Sequence, residues 1–480
     1  MSSPRAFATR VFLVALILRL IPVLLARGLG IGLDDMFQYD MLARSLVSGN
    51  GYRWYAQPDL AQLEPYVHFD LSSVNYDPVR GVPTSFRAPL YPAFLALIYT
   101  ASGTGFSRFF AARLAQAILL GAPLAPLTYF AARRLLAGNE RAARLAAWAV
   151  AVYPMLLIFP LGLGTENLFF LLVLASFLVL LISAERPTPL NFLLSGFLLG
   201  LAALTRSVIL PCAGLAVLWA WFALKQKRGA LLMAVALAVT IAPWIVRNSL
   251  LYGRLTGIET SLGYNLYVGY HPQSTGTFTF GPSLDLVPIL DDAVRDRLGT
   301  QKALAFIQAD PGRFLPLALS RLGHFFRLEL RVLEYFYSSN FFGYLPLPLL
   351  LALAAFFGLP FAILSLSAAF GALALPRSPT ALLALLFFIG YLTPHVFILS
   401  EERFHLVLIP LFAMVAAPAS LGLSAIWTRS LASRGGRLAL SLACLVALLL
   451  LFNWTYQFTS DAAKFAALLG PHGNQTFFPY

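Results

Sequence analysis

Two adjacent carboxylates, Asp34 and Asp35, follow directly after the first apolar segment of the chain. The chain is 59% hydrophobic and only 11% charged, so like charges at the mouth of a membrane helix require a physical reason. A charge at the bilayer edge must be solvated, paired or used in chemistry. A helix N-cap needs one Asp, whereas two favour a carboxylate that acts as a general base.

Other polar residues recur where predicted membrane spans begin or end. Arg87 lies between Phe86 and Pro89 and opens a short apolar stretch with proline at both ends, and Glu166 opens the fourth span. Cations lie at the outer ends of further spans: Arg206, Arg247, Arg403 and His405. Taken singly, an arginine here could snorkel to water, and Glu166 could simply complement a helix dipole. Together on one face they favour a site that binds an anion beside a base.

The composition that surrounds these residues is that of a polytopic membrane protein. Soluble domains carry about 25% charged residues, more than twice the share found here. The apolar runs are continuous over roughly 17–25 residues, which indicates transmembrane helices rather than strands. We therefore expect an all-α bundle of about eleven spans, within ten to thirteen, with long outer loops that carry interfacial helices.

The predicted spans and polar stretches divide the chain into three parts. Residues 1–247 form the membrane core with the outer loop 28–108, residues 248–345 form a second outer loop with interfacial helices, and residues 346–480 form the C-terminal spans and an outer tail. Residues 313–338 are amphipathic and are expected to form an interfacial helix or an extra partial span. The predicted spans are 11–27, 109–132, 143–161, 167–183, 191–208, 209–224, 230–247, 346–373, 381–399, 405–427 and 438–453.

The distribution of charge predicts the orientation in the membrane. Arg5 and Arg10 precede the first span, and Lys and Arg cluster in the alternate short loops, so the N-terminus is expected in the cytoplasm. Only two of the 21 acidic residues, Glu140 and Glu185, fall in the loops predicted to be inside. The net charge of +13 comes from these topological clusters. Since no basic run is interleaved with aromatics, nucleic acid is not an expected partner.

The sequence also narrows the choice of donor and cofactor. Both cysteines lie in apolar runs, and the six histidines show neither H-x-x-x-H nor H-E-x-x-H spacing, so no metal site is indicated. The chain has no P-loop and no dinucleotide-binding glycine motif, which argues against a soluble nucleotide donor. We therefore expect a lipid-linked donor. A divalent metal is not required, because guanidinium groups can neutralise a phosphate.

The order of these motifs resembles a known enzyme family. The resemblance rests on Asp34-Asp35 with Tyr39, on Arg87-x-Pro89-x-Tyr91-Pro92, on Glu166, on Pro243-Trp244 with Arg247-Asn248, and on Glu402-Arg403-Phe404-His405 through Pro410. Over roughly residues 10–415 the chain is similar to the GT-C glycosyltransferases of the protein O-mannosyltransferase and lipid A aminoarabinose transferase superfamily. The usual acidic pair of that family is Asp-Glu, whereas this chain has Asp-Asp.

The resemblance implies inverting transfer of a single sugar from a polyprenyl-phosphate carrier to an acceptor hydroxyl on a lipid, glycan or protein. The enzyme would be a multi-pass protein of the cell membrane with its active site on the outer face. Roles follow for the matching residues: Asp34 as the catalytic base, with Asp35 and Glu166 as further catalytic residues, Arg87 and Arg247 as phosphate-binding residues, and Tyr39, Tyr91 and His405 as substrate-binding residues. From their position at outer span ends, Arg206 and Arg403 are expected to assist in binding the phosphate.

Three alternatives have different sequence signatures. A secondary transporter would show internal repeats and charges near the midplane, whereas most charges here lie at span ends. The main exception is Arg19 in the first span, which we expect to snorkel to the inner face. A non-catalytic lipid-binding scaffold would not need Asp34. An oligosaccharide ligase or polymerase of similar architecture would rest on arginines and a histidine rather than on acids in the first outer loop.

Overall fold

A computed structural model describes residues 3–333 and 345–469, and it is almost entirely helical. Within this part of the chain eight helices are long and apolar enough to span a membrane, and nine if a helix pair bent by 53° counts as one span. The bent pair is Glu140–Val152 and Pro154–Leu161. The eight are Pro4–Leu25, Ser107–Leu135, Thr165–Glu185, Lys227–Tyr252, Leu347–Ala374, Pro379–Phe397, Glu402–Leu431 and Arg434–Ser460.

Every predicted span falls on one of these helices or on a shorter apolar one, so the multi-pass helical architecture is confirmed. Two predicted spans correspond to the short helices Pro189–Ala203 and Ser207–Phe222. Both are shorter than the roughly 20 residues that cross a bilayer core. The exact number of spans therefore remains a prediction.

Arg19 does not snorkel as expected but is fully buried beside the bent helix pair. The bend occurs at Pro154, which has no N–H to donate and therefore leaves carbonyl groups of the preceding turn without a partner. Arg19 donates to two of these carbonyls, Ala151 O at 3.2 Å and Val150 O at 3.3 Å. An unsatisfied carbonyl in a bilayer costs several kcal/mol, which explains why the charge turns inward.

The first long loop, residues 26–106, folds on one end of the bundle. Its two short strands pair antiparallel, with Arg53 opposite Pro83 and Trp54 opposite Val82. The predicted interfacial helix begins after Pro89 and ends at Gly103, which has a φ of 76°. The elements of this loop are Asp35–Val47, Arg53–Trp54, Gln57–Leu63, the 3₁₀ turn Leu71–Ser73, Val82–Pro83 and Leu90–Ser102.

The second long loop begins after Tyr252 and is also mainly helical. Its helix Phe314–Phe325 lies where an interfacial helix or partial span was predicted, although residues 334–338 of that prediction lie outside the described part of the chain. Residues 470–480 of the predicted outer tail also lie outside it. The helices of this loop are Leu262–Tyr270, Phe280–Leu284, Asp292–Ala309, the 3₁₀ turn Pro311–Arg313 and Phe314–Phe325, and a last helix, Ala462–Leu469, follows the final span.

A buried carboxylate joins the two long loops. Asp292 of the second loop is fully buried and accepts hydrogen bonds from the Ser85 N–H at 2.8 Å and the Tyr252 hydroxyl at 3.2 Å. The Thr84 hydroxyl also donates to it, and Arg295 forms its ion pair. Both loops are therefore held together at the same end of the bundle, where they can build one site.

The two acids predicted to face the cytoplasm pair with arginines of the short loops. Glu140 lies 3.2 Å from Arg133 and 2.8 Å from Arg144, and Glu185 lies 3.4 Å from Arg134. These contacts place both acids at the bundle end where the basic residues gather, in agreement with the charge distribution. The direction of insertion itself is a prediction.

This orientation can be measured by labelling single cysteines. Val79 in the first long loop is 76% exposed, and Pro187 between two spans is also exposed. With Cys212 and Cys444 replaced by Ala, we expect an impermeant maleimide to label Val79→Cys in intact cells and Pro187→Cys only after permeabilisation. The positive-inside bias is the physical reason. The reverse pattern would invert the protein in the membrane.

Candidate active site

The acidic pair begins the helix Asp35–Val47. Asp34 is its N-cap, and its carboxylate accepts the Met36 N–H at 2.8 Å while remaining exposed to solvent. The capping role is therefore present in the structure. A cap uses one carboxylate oxygen, so the other remains able to accept a proton.

Asp35, the next residue, is held by guanidinium groups. It forms an ion pair with Arg87 and a second one with Arg403 at 3.5 Å. Arg87 also donates through Nε to the Gln38 side-chain oxygen at 2.8 Å, one turn along the same helix. The first turn of this helix is thereby tied to the segment that follows the second strand.

The second acidic motif meets the same cations. Glu166 lies in the first turn of Thr165–Glu185 and pairs with Arg206 at 2.6 Å, while Arg403 approaches it to 3.8 Å. A Cβ at Gly164 would lie 2.6 Å from the Glu166 carboxylate, so a glycine leaves room for that side chain. Arg403 therefore lies between the two acidic motifs.

Glu401 completes a set of side chains that we call the charged cluster. This carboxylate is 5% exposed and lies 2.7 Å from Nε of Arg403. Glu401 was not predicted from the sequence, because the neighbouring Glu402 is the residue that matches the family motif. The charged cluster consists of Asp34, Asp35, Glu166, Glu401, Arg87, Arg206 and Arg403.

The two neighbouring aspartates differ in acidity. Although Asp34 is exposed as a residue, the protein around its carboxyl removes part of its hydration and raises its pKa above the usual value, and the adjacent Asp35 charge raises it further. For Asp35, burial alone would raise the pKa, but Arg87 and Arg403 outweigh that effect and lower the pKa to about 2. A base works best when its pKa lies near the operating pH, so Asp34 is better suited to accept a proton than Asp35.

Of the two predicted tyrosines, only Tyr39 borders the charged cluster. The Arg87 guanidinium carbon lies 5.2 Å from the centre of the Tyr39 ring. Tyr91 packs edge-on behind that ring at 5.2 Å and is fully buried, with its hydroxyl donating to Gln116 at 2.7 Å. Tyr91 thus supports Tyr39 from the core.

Arg247 and His405 lie away from the charged cluster. Arg247 donates to two carbonyls of the first long loop, Thr84 O at 2.5 Å and Tyr52 O at 3.3 Å. His405 is fully buried and contacts the carboxylate of Glu329 at 2.9 Å. These contacts are those of side chains that hold the fold together.

Two buried residues of the span Ser107–Leu135 support the acidic motifs, and neither was predicted from the sequence. Arg113 donates to Gly30 O at 2.6 Å, shortly before the acidic pair, and to Leu161 O at 2.8 Å, shortly before Glu166. A fully buried arginine in an apolar span is the signal that could have identified it.

Gln116 continues this support one turn later, at the start of a π-helical segment that ends at Gly121. Its amide donates to Pro160 O at 2.9 Å and Gly162 O at 3.1 Å, and its oxygen accepts from Asn167 at 3.2 Å. Single π-turns inside helices are frequent at functional sites. These hydrogen bonds fix the loop that leads to Glu166.

The arrangement can bind an anion beside a carboxylate base. The side chains of Arg87, Arg206 and Arg403 are 20%, 21% and 40% exposed, so all three arginines are in part accessible from solvent. Among residues 3–333 and 345–469, no group of three or more His, Cys, Asp or Glu is arranged to hold a metal ion. The expectation that no metal is required remains a prediction.

No protein-family model matches the chain, and no curated protein matches it. Solved structures do. The Archaeoglobus fulgidus oligosaccharyltransferase in complex with Zn and sulfate has a TM-score of 0.52 at 16% identity, covering 98% of this chain and 57% of that one. Its apo form has a TM-score of 0.52 at 15% identity, covering 99% and 60%. ArnT from Cupriavidus metallidurans bound to undecaprenyl phosphate has a TM-score of 0.40 at 15% identity, covering 88% and 78%, a score too low to show a common fold.

This similarity shows the fold: the chain has the GT-C membrane architecture that its motifs predicted. The chain spans less than two thirds of the length of the oligosaccharyltransferase structures that it matches. Identities of 15–16% carry no information about the substrate.

The support beneath the site can be tested with Gln116→Leu. This change keeps the bulk of the side chain but leaves its hydrogen-bond partners unsatisfied. Each buried polar group left without a partner lowers the stability by about 1–3 kcal/mol. We expect a clear loss of thermal stability in detergent, measured by dye-based unfolding. Gln62→Leu, at an exposed glutamine of the first long loop, is the matched control and should change little. Equal stability of the two variants would contradict the role of Gln116.

Proposed function

We propose that the protein is a membrane glycosyltransferase that transfers a single sugar from a polyprenyl-phosphate carrier to an acceptor hydroxyl. The acceptor is a lipid, a glycan or a protein, and the site faces the non-cytoplasmic side. The observation that carries the proposal is the charged cluster, in which the exposed Asp34 adjoins an array of guanidinium groups. The GT-C fold, shared with an enzyme named an oligosaccharyltransferase, supports it.

The proposed reaction requires one carboxylate to act as a general base. Asp34 accepts the proton of the acceptor hydroxyl as its oxygen attacks the anomeric carbon of the sugar. The bond from that carbon to the phosphate oxygen breaks on the opposite face, so the configuration inverts. A positioned base contributes about 10²–10⁴ in rate. Glu166, whose carboxylate is anchored by Arg206, positions the acceptor at the second acidic motif.

The leaving phosphate requires positive charge. The donor phosphodiester carries one negative charge and the released lipid phosphate carries two, so charge develops on the phosphate as the bond breaks. Guanidinium groups bind phosphate oxygens through two parallel N–H···O hydrogen bonds. These hydrogen bonds become stronger as the negative charge on the phosphate grows. We assign this role to Arg87 and Arg403 with Arg206. Arg247 is left out because its donors are directed at carbonyls.

Two observations weigh against the alternatives. A transporter would place its charges near the midplane, whereas in the charged cluster Arg403, at the start of the span Glu402–Leu431, pairs with Asp35 of the first long loop. A scaffold would not need an exposed aspartate with a raised pKa, as at Asp34. An enzyme that transfers a whole oligosaccharide shares this architecture, and the choice of donor in the assay below separates it from the single-sugar reaction.

The base is tested by Asp34→Asn. The substitution keeps a side-chain oxygen for the N-cap but removes the proton acceptor, so we expect transfer to fall by about 10²-fold or more while folding is retained. Activity of the purified protein and its unfolding temperature are the two measurements.

Asp70→Asn is the matched control, because Asp70 is an exposed N-cap in the same loop and accepts the Ser72 N–H at 3.0 Å. It should leave transfer unchanged. Near-normal turnover of Asp34→Asn would remove Asp34 from its role and direct attention to Glu166.

The donor is tested by offering purified protein polyprenyl-phosphate sugars, lipid-linked oligosaccharides and nucleotide sugars, with chelator present. We expect transfer only from the polyprenyl-phosphate sugar. An ammonium cannot reproduce the two-pronged contact of a guanidinium. Arg87→Lys should therefore weaken donor use by about 1.5–3 kcal/mol, and Arg87→Ala by more.

Arg80→Lys, at an exposed arginine of the same loop, should have no effect in this assay. Transfer from a nucleotide sugar alone would overturn the proposed donor. Strict dependence on a divalent ion would overturn the proposal that guanidinium groups suffice.

A further inference from the structure

The two aspartates at the start of the helix Asp35–Val47 have opposite surroundings. Among the described residues, Asp34 lies in no ion pair, and its carboxylate contacts a backbone N–H. Asp35 instead contacts two of the cations assigned to the donor phosphate. The second aspartate therefore occupies the position that the proposed function gives to a substrate.

We propose that Asp35 is an internal stand-in for the donor phosphate, which it imitates on Arg87 and Arg403 until the lipid phosphate binds and displaces it. This inference rests on the proposed function and deepens it, because it makes donor binding an exchange of one anion for another. A carboxylate and a phosphate compete for the same face of a guanidinium group, since both accept its two parallel N–H bonds.

The exposure of the paired carboxylates shows which one can leave. Each guanidinium of the charged cluster already has a carboxylate partner, so an incoming phosphate competes with these carboxylates for the N–H groups. The Asp35 side chain is 39% exposed, whereas Glu166 and Glu401 are 9% and 5% exposed. If the Asp35 side chain turns into water, no buried charge is left without a partner. Breaking the ion pairs of either buried glutamate would instead leave a buried charge unpaired, at a large cost in free energy.

The two arginines remain in place without Asp35. Arg87 is held by Gln38 and lies 5.1 Å from the Phe86 ring as well as against Tyr39. Arg403 is held by the buried Glu401 at 2.7 Å. A preorganised pair of guanidinium groups therefore remains for the phosphate after the exchange.

A buried ion-pair group in the same loop shows the contrast. Asp40 is 1% exposed and is held by Arg44 at 2.8 Å and by Arg108 at 2.7 Å. That carboxylate is enclosed and cannot be exchanged without opening the fold, so its pairing is structural. The ion pairs of Asp35 lie at the surface, where another anion can replace its carboxylate.

The test compares binding of undecaprenyl phosphate with binding of uncharged undecaprenol to the purified full-length protein, by native mass spectrometry in detergent. Removing a competing anion should raise affinity for the phosphate. We expect Asp35→Asn to bind undecaprenyl phosphate roughly tenfold tighter than the unsubstituted protein and undecaprenol equally well. Asp35→Glu, which keeps the anion, should bind both lipids as the unsubstituted protein does.

Glu64→Gln removes an exposed carboxylate of the same loop and should leave both affinities unchanged. Unfolding temperatures confirm that each variant is folded, and Asp35→Ser provides a second neutral variant with the same expected gain. If the unsubstituted protein binds undecaprenyl phosphate but neither neutral variant binds it tighter, the stand-in role of Asp35 is overturned and the proposed function stands. If the unsubstituted protein does not prefer the phosphate to undecaprenol, the proposed function fails, and this inference fails with it.

Discussion

The ion pairs at one end of the helical bundle are the constraint on which the candidate site depends. Charges at the end of an apolar bundle are stable only when paired, and an unpaired partner left partly buried is strongly destabilising. Asp35 and Arg403 meet across 368 residues of sequence, and Glu166 reaches the same arginine from a third segment. Pairing therefore brings the first long loop and the ends of separate spans together. The exposed Asp34, which has no ion pair within the part of the chain that the structure describes, lies beside them.

The convergence of the charged motifs could be predicted from the sequence, because a membrane helix has only two ends and the distribution of Lys and Arg assigns each end to a side. The pairing within the cluster could not. Glu401 and Glu402 are adjacent and chemically alike, yet one contacts Arg403 at 2.7 Å and the other accepts the Arg331 N–H at 2.9 Å. Glu402 begins a 3₁₀ helix, whereas Glu401 is its N-cap with extended backbone, so the two side chains point in different directions that the sequence does not specify.

Direction also explains why Tyr91, Arg247 and His405 lie outside the charged cluster. Each of these residues is close in sequence to a residue of the charged cluster or lies at the end of a predicted span. The hydrophobic pattern reveals such span ends. Which neighbour each side chain meets depends on how the helices pack and where they break. Arg19 is the clearest example, since its carbonyl partners become available only because Pro154 interrupts the neighbouring helix.

The chain uses arginine in two ways that the sequence alone cannot separate. Arg113 and Arg247 both lie near the ends of spans, and both donate to backbone carbonyls. Moving either guanidinium to a ligand would leave those carbonyls without a donor, at a cost of several kcal/mol in an apolar setting. Arg87 and Arg403 instead donate to Asp35, whose carboxylate can turn to water and so be exchanged for another anion. An arginine at a span end is therefore a candidate for binding a phosphate only when its acceptor can leave, and this criterion selects among residues that occupy equivalent positions in the sequence.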